Sequence, residues 1–153
     1  MQRRALIFCF LLGLGLLLYL HAVAAQKTIE ELRAKLDKAS GGERAKIYAE
    51  IAELQVPVAD DQFNKGNSVE GHKTVNEIVE TAAKARELAI ASHDQRKEVE
   101  IILRNTQRLL ENMKRTLAQV DRPALDEAEK QIGNYRQELL DSMFAPKKKK
   151  EGP

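Results

Sequence analysis

The feature that most constrains the fold is a run of apolar residues that recur every three or four positions between Gln95 and Val120. Seven residues form this stripe: Val99, Leu103, Thr106, Leu110, Met113, Leu117 and Val120. This spacing places side chains on one face of an α-helix, and neither Gly nor Pro interrupts it. Ile102 and Leu109 widen the stripe into a core-facing surface. The sequence therefore predicts a long helix over residues 95–120, against which the rest of the chain packs.

Two helices are predicted at the start of residues 27–145, which we call the body. The first is short, and the second is long and has two apolar stripes. The short one covers residues 29–39 and ends at a Ser-Gly-Gly sequence, which suits a helix end. The long one starts near Glu43, and its apolar residues form two adjacent stripes: Ile47, Ile51, Leu54 and Val58, then Ala52, Val56, Ala59 and Phe63. Pro57 lies within this pattern, and a proline inside a helix kinks it. Because the apolar residues after Pro57 continue on the same helical face as those before it, we expect one kinked helix. Two shorter helices are the alternative.

A third helix is predicted after the stop signal Gly66-Asn67. Its seam changes from bulky to small residues: Val75, Ile78, Ala82, Ala85 and Ala89. Small residues let a partner helix approach closely, and residues 99–120 are the expected partner. The boundary between these two helices, at residues 92–94, contains neither Gly nor Pro, and the seam continues across it without a phase slip. Two successive polar residues on that seam nevertheless favour a turn.

A last helix is predicted after Pro123 and ends before Pro146. No alternating strand pattern occurs after residue 25, so the body, residues 27–145, is predicted to be all-α. Four long helices joined by short turns favour an up-and-down antiparallel helical bundle, with a short additional helix at its N-terminus. The alternative is an elongated helical hairpin or coiled coil with a continuous helix over residues 69–120.

The first 25 residues have the layout of a secretory signal peptide. Arg3 and Arg4 precede an apolar run over residues 5–20. Small residues follow where a signal peptidase would cleave: Ala22, Ala24 and Ala25. We therefore expect an exported protein, periplasmic or secreted. The alternative is an uncleaved N-terminal membrane anchor with the body outside the cytoplasm, because about 20 apolar residues also span a bilayer.

Basic charge is concentrated at the C-terminus. Residues 26–145 hold 19 basic and 22 acidic residues, so their net charge is −3, which argues against a nucleic-acid-binding surface. Residues 146–153 contain no large apolar residue, and we expect them to form a disordered basic tail. Four adjacent residues of this tail are candidates for contact with an anionic membrane or polyanion: Lys147, Lys148, Lys149 and Lys150.

No residues have the spacing of a catalytic, cofactor or metal site. Neither His72 nor His93 has a Glu three residues before it, as di-metal bundles require, and Cys9, the only cysteine, lies in the signal segment. Two carboxylate pairs at helical-turn spacing are interpreted as solvated faces: Glu50 with Glu53, and Glu77 with Glu80. The sequence Ser92-His93-Asp94 contains the residue types of a catalytic triad, but adjacent residues point in different directions. We therefore predict no bound cofactor and no enzyme activity.

Arg104, Arg108 and Arg115 stand on one side of the 95–120 helix and resemble an anion-binding row. Glu100 and Glu111 precede two of these arginines by four residues, the orientation that favours pairing within a helix. We therefore interpret the row as an exposed, salt-bridged face.

Two stretches resemble known helical families. Phe63-Asn64-Lys65-Gly66-Asn67 and the helix after it resemble a tetratricopeptide hairpin over residues 54–90, which implies hairpin packing of that type. The segment LRNTQRLLENMKRTLAQVDRPALDEA, with the signal and the second helix before it, resembles an uncharacterised secreted helical family of acidobacterial type over residues 43–144. That family brings no known activity, substrate or site residues.

These features together favour a non-enzymatic exported helical scaffold or protein-interaction module, whose partner is another envelope protein. The alternative is a binder of anionic envelope surfaces through the C-terminal lysine run. Nucleic acid is not an expected partner, and membrane contact other than through the tail is expected only if the N-terminal segment stays uncleaved. The sequence leaves oligomerisation open.

Overall fold

The computed structural model describes residues 28–144, and the predicted signal peptide and lysine tail lie outside them. All regular structure in these residues is α-helical, which confirms the predicted all-α fold. One short helix and four long helices follow in chain order: α1 (28–36), α2 (Gly41–Asn64), α3 (Ser68–Ser92), α4 (Arg96–Thr116) and α5 (Arg122–Phe144). None of the helices in this part of the chain is long and apolar enough to cross a membrane.

A turn separates α3 from α4, at the boundary that lacks Gly and Pro. His93 and Gln95 both adopt the left-handed backbone conformation, with φ of 58° and 56°. Side chains hold the turn, because the backbone N–H of Asp94 donates to Ser92 Oγ at 3.3 Å and that of Gln95 donates to Asp94 Oδ1 at 2.8 Å. The predicted turn is confirmed, and the alternative of a continuous helix over residues 69–120 is wrong.

The helix around which the fold is built is α2. It continues as one helix through Pro57, so the alternative of two shorter helices is wrong. Its first apolar stripe, which includes Ile47 and Ile51, packs against Ile29 of α1, and its second stripe lies in the main core. The prediction that the rest of the chain packs against residues 95–120 is wrong. The most extensive helix pairing in the described residues, α2 with α3, does not involve α4, and α1 packs on α2.

The four long helices form two antiparallel hairpins, α2/α3 and α4/α5. The first hairpin is closed by the three-residue turn 65–67. In the second, Arg96 Nη1 at the start of α4 donates to the Ser142 carbonyl near the end of α5, at 2.6 Å. At the other end, Lys114 Nζ donates to Asp126 Oδ1 at 2.7 Å. Consecutive helices therefore alternate in direction, as predicted for an up-and-down bundle.

The two hairpins stack with parallel helices side by side. His72 Nε2, near the start of α3, lies 2.9 Å from Asp121 Oδ1, and further along α3 the Arg86 Nη1 lies 3.1 Å from Glu138 Oε2. In the same way α2 lies beside α4, whereas α2 and α5 make no close backbone contact. The helices are therefore ordered α2, α3, α5, α4 around the bundle. The main partners of α3 are α2 and α5, so the predicted pairing of α3 with residues 99–120 is wrong.

The main core joins small residues of the first hairpin to bulky residues of the second. Seven alanines of α2 and α3 have no exposed surface: Ala45, Ala49, Ala52, Ala59, Ala82, Ala85 and Ala89. In the same cluster lie fully buried leucines such as Leu103 of α4 and Leu139 of α5. The predicted α4 stripe is buried except for Val120, which is 81% exposed because α4 ends at Thr116.

We predict that two glycine-to-alanine substitutions within helices change stability in opposite directions. A Cβ on Gly71 would lie 2.8 Å from ring carbons of Phe63, so Gly71→Ala lowers the free energy of unfolding by about 1–3 kcal/mol. In the matched control, Gly133→Ala, the nearest atom is the flexible end of Gln107 at 3.4 Å. Helix propensity then raises the free energy of unfolding by about 0.5–1 kcal/mol. Urea denaturation measures both changes, and equal effects would contradict this packing.

Candidate binding groove

A groove between the parallel helices α2 and α4 holds a cavity of about 520 Å³. Its apolar lining comes from five side chains: Leu54, Val56, Pro57, Leu109 and Met113. The volume lies within the range of ligand pockets in proteins, which are mostly apolar with a few placed polar groups. We call this surface the α2/α4 groove.

The groove lies at the edges of two apolar clusters. Leu109 belongs to the widened part of the α4 stripe and packs against the main core while staying partly exposed. Leu54 of α2 is also partly exposed, and it packs against the second cluster, which α2 forms with α1. The groove is therefore apolar surface that the helices of residues 28–144 leave accessible, and it is not an internal void.

Two half-buried carboxylates, Glu53 and Asp60, stand on the α2 side of the groove. Burial raises the pKa of Glu53 above its usual range, and Glu50 adds to this effect, whereas Arg108 opposes it. Burial likewise raises the pKa of Asp60, against the opposing hydrogen bond from Asn64. A cation bound in the groove would favour the ionised form of both groups, which burial disfavours.

The two predicted carboxylate pairs are only partly solvated. Glu50 forms a surface ion pair with Lys46 at 3.8 Å. In contrast, Glu53 lines the groove, and Glu77 accepts a hydrogen bond from Gln55 Nε2 at 3.2 Å across the α2/α3 interface. The interpretation as solvated faces is therefore wrong for one member of each pair, because periodicity along one helix does not reveal where a second helix lies.

The predicted pairing within the arginine row is confirmed. Arg104 Nη2 donates to Glu100 Oε2 at 2.8 Å, and Arg115 Nη2 donates to Glu111 Oε1 at 2.7 Å. Glu100 has a further role that the sequence did not reveal. It is only 5% exposed, and its Oε1 accepts hydrogen bonds from Arg136 Nη2 and Nε at 2.9 and 3.1 Å. This buried ion pair joins α4 to α5 and is a structural contact.

Ser92, His93 and Asp94 do not converge as nucleophile and base. The Ser92 hydroxyl donates to the Ala89 carbonyl at 3.4 Å, and His93 is exposed. The other histidine of the body, His72, lies at the opposite end of α3. Within residues 28–144, no group of three or more His, Cys, Asp or Glu side chains is arranged to hold a metal ion.

Two predicted sets of residues lie outside the part of the chain that the structure describes. They are the signal cleavage region at Ala22, Ala24 and Ala25, and the anionic-surface contact at Lys147, Lys148, Lys149 and Lys150. No family model, curated protein or solved structure matches the chain. The tetratricopeptide and acidobacterial resemblances therefore stay predictions, as does export.

We predict that Glu53→Gln stabilises the fold at neutral pH. Because the folded-state pKa of Glu53 is raised above the ordinary value of 4.5, the folded protein holds this proton more tightly than the unfolded chain. The wild-type protein therefore loses stability as pH rises from about this value through the raised pKa. The variant avoids this loss and gains about 0.5 kcal/mol at pH 7, after allowance for solvent screening.

Urea denaturation at pH 7 and at pH 3.5 measures this effect, with the exposed Glu80→Gln on α3 as the control. The advantage of Glu53→Gln disappears at the lower pH, where the carboxyl is protonated in both states. A Glu53→Gln advantage that is equal at both pH values would contradict the role of burial.

Proposed function

We propose that this chain is an exported, non-enzymatic protein-interaction module, and that the α2/α4 groove binds an amphipathic helix with basic side chains from another envelope protein. The observation that carries the proposal is the combination of an apolar lining with two half-buried carboxylates in one groove. An apolar groove alone would accept many occupants, and carboxylates alone would be ordinary surface charge. Their combination specifies a partner that is apolar on one face and positively charged beside it.

Two parallel helices with an apolar cleft between them suit the recognition mode in which a third helix lays its apolar face into a groove. Leu54 and Leu109 supply apolar surface on either side of the groove. Met113 also lines the groove, although it is only 5% exposed, and its unbranched, polarizable side chain tolerates changes in the packing around it. The apolar contacts provide affinity without requiring one specific sequence.

The two carboxylates add direction and selectivity. Glu53 and Asp60 are separated by two helical turns, which is about 10.5 Å along α2. A partner helix parallel or antiparallel to α2 therefore meets both carboxylates with basic residues at positions i and i+7. Charge-assisted hydrogen bonds form in this arrangement, and an acidic helix is repelled.

The test uses the exported protein, residues 26–153, and a fluorescein-labelled helical peptide of leucine and lysine with lysines seven residues apart. Fluorescence anisotropy measures binding. We expect saturable binding at pH 7, and at least about tenfold weaker binding for Leu109→Gln and for the double variant Glu53→Gln/Asp60→Asn. The affinity also falls as pH drops towards 4, because protonation removes the two negative charges.

Three controls make the outcome decisive. A leucine–glutamate peptide of the same pattern should not bind, and Val69→Gln, at an exposed apolar residue outside the groove, should bind the leucine–lysine peptide as wild type does. Replacing the four tail lysines with glutamine should leave peptide affinity unchanged or slightly increased. Equal binding of the two peptides, or groove variants that bind as wild type does, would contradict the proposal.

The tail provides the competing explanation and has its own readout. This readout is binding to phosphatidylglycerol vesicles, which should require Lys147–Lys150 if the tail is the functional element. If vesicle binding depends on these lysines, and the groove variants bind the peptide as wild type does, the function is contact with anionic surfaces. The groove proposal would then be wrong.

A further inference from the structure

The two ends of the α2/α4 groove differ in their charged surroundings. Because α2 and α4 are parallel, one end of the groove points towards the starts of both helices and the other towards their C-termini. Glu53 stands at the first end, and Asp60 stands at the second. We call them the Glu53 end and the Asp60 end. The difference between them gives the groove a direction.

A cation on α4 acts on the Glu53 end. Arg108 precedes Leu109 on α4, and its positive charge lowers the pKa of Glu53 against the effect of burial. A charge with this effect lies close to the carboxylate, across the groove from α2. Arg108 is exposed and forms no close ion pair with any of residues 28–144. Glu50, which also acts on Glu53, pairs with Lys46 at 3.8 Å. Arg108 can therefore pair with a carboxylate of a partner.

The Asp60 end has no such cation in the part of the chain that the structure describes. The charge of Asp61 acts on Asp60, but Asp61 itself pairs with Lys65 at 2.6 Å. The last turn of α4 contains two cations, Lys114 and Arg115, and both pair with other carboxylates. The negative charge of Asp60 is therefore left for a basic group of a partner.

Both helices of the groove terminate at the Asp60 end. Asn64 is the last residue of α2, one turn after Asp60, and Thr116, which lines the groove, is the last residue of α4. The C-terminus of a helix carries a partial negative charge and the N-terminus a partial positive charge, and each acts within about one turn. A third helix in the groove is therefore favoured when its N-terminus lies at the Asp60 end.

We propose that the partner helix docks antiparallel to α2 and α4, with a basic residue of its first turns facing Asp60 and an acidic residue near its C-terminus facing Arg108. A second basic residue, seven positions after the first, still meets Glu53. This inference rests on the proposed function, because it gives the direction of the helix that the groove binds. Arg108 is then the residue that makes one direction of the partner preferable.

Two fluorescein-labelled leucine–lysine peptides of identical composition test the direction. Both have lysines seven residues apart. One carries a glutamate four residues after the second lysine, and the other carries it four residues before the first. Antiparallel docking brings only the first glutamate to Arg108, whereas parallel docking brings only the second. We expect the peptide with the C-terminal glutamate to bind residues 26–153 about two- to fivefold more tightly at low salt, as for an exposed ion pair. Equal affinities, or the reverse order, would overturn the inference.

A variant assigns this difference to Arg108. Arg108→Gln should weaken binding of the peptide with the C-terminal glutamate about two- to fivefold and make the two peptides bind equally. It should leave binding of the peptide without glutamate unchanged or slightly tighter, which shows that the groove is intact. The control, Lys130→Gln, removes the same charge at an exposed position of α5 and should preserve the difference. A difference that survives Arg108→Gln would overturn the role of this residue.

A nitroxide spin label on either end of the peptide with the C-terminal glutamate reads the direction itself. In NMR spectra of ¹⁵N-labelled protein, the N-terminal label should broaden the amide signals of Asn64 and Thr116 most strongly. The C-terminal label should broaden those of Ala49 and Arg104. The opposite pattern would overturn the antiparallel direction and leave the proposed function in place. The absence of saturable binding by every peptide would overturn both.

Discussion

The close packing of α2 against α3 is the contact on which the rest of the structure depends. Alanines such as Ala49 and Ala52 on α2 and Ala82 and Ala85 on α3 have no exposed surface, and small side chains let two helix backbones approach closely. Alanine alone fills little volume, so the core is completed by the leucine-rich faces of α4 and α5. The outer face of α2 remains apolar and is covered by α1.

A histidine–aspartate hydrogen bond and two ion pairs link the helices of the stacked hairpins. Contacts between His72 and Asp121 and between Arg86 and Glu138 hold α3 parallel to α5. The buried pair of Glu100 with Arg136 holds α4 to α5. Since a buried charge is costly without its partner, this pair favours one register over others. Neither set of contacts covers the opposite side of the bundle, where α2 lies beside α4 and the groove remains.

Most helices, and the turn between α3 and α4, could be predicted from the sequence, because periodicity reports which face of each helix is buried. The neighbours of each helix could not, since the alanine seam of α3 fits α2 as well as α4. The groove was missed for the same reason. In the sequence, Glu53 and Asp60 have the spacing of surface carboxylates, and only the position of α4 beside Pro57 places them in a groove. Gln55 has the spacing of an ordinary polar residue, and only the positions of α1 and α3 show that it is buried.

The two methionines of residues 26–153 provide a direct test of the proposal that the α2/α4 groove is the binding surface. Met113 lies in the groove, whereas Met143 lies near the end of α5, next to the lysine tail. Methyl NMR spectra of ¹³C-methionine-labelled protein follow both during titration with the leucine–lysine peptide. If the groove is the binding surface, the Met113 methyl signal shifts with saturation and the Met143 signal does not. A shift of Met143 alone, or saturable binding that moves neither signal, would contradict it.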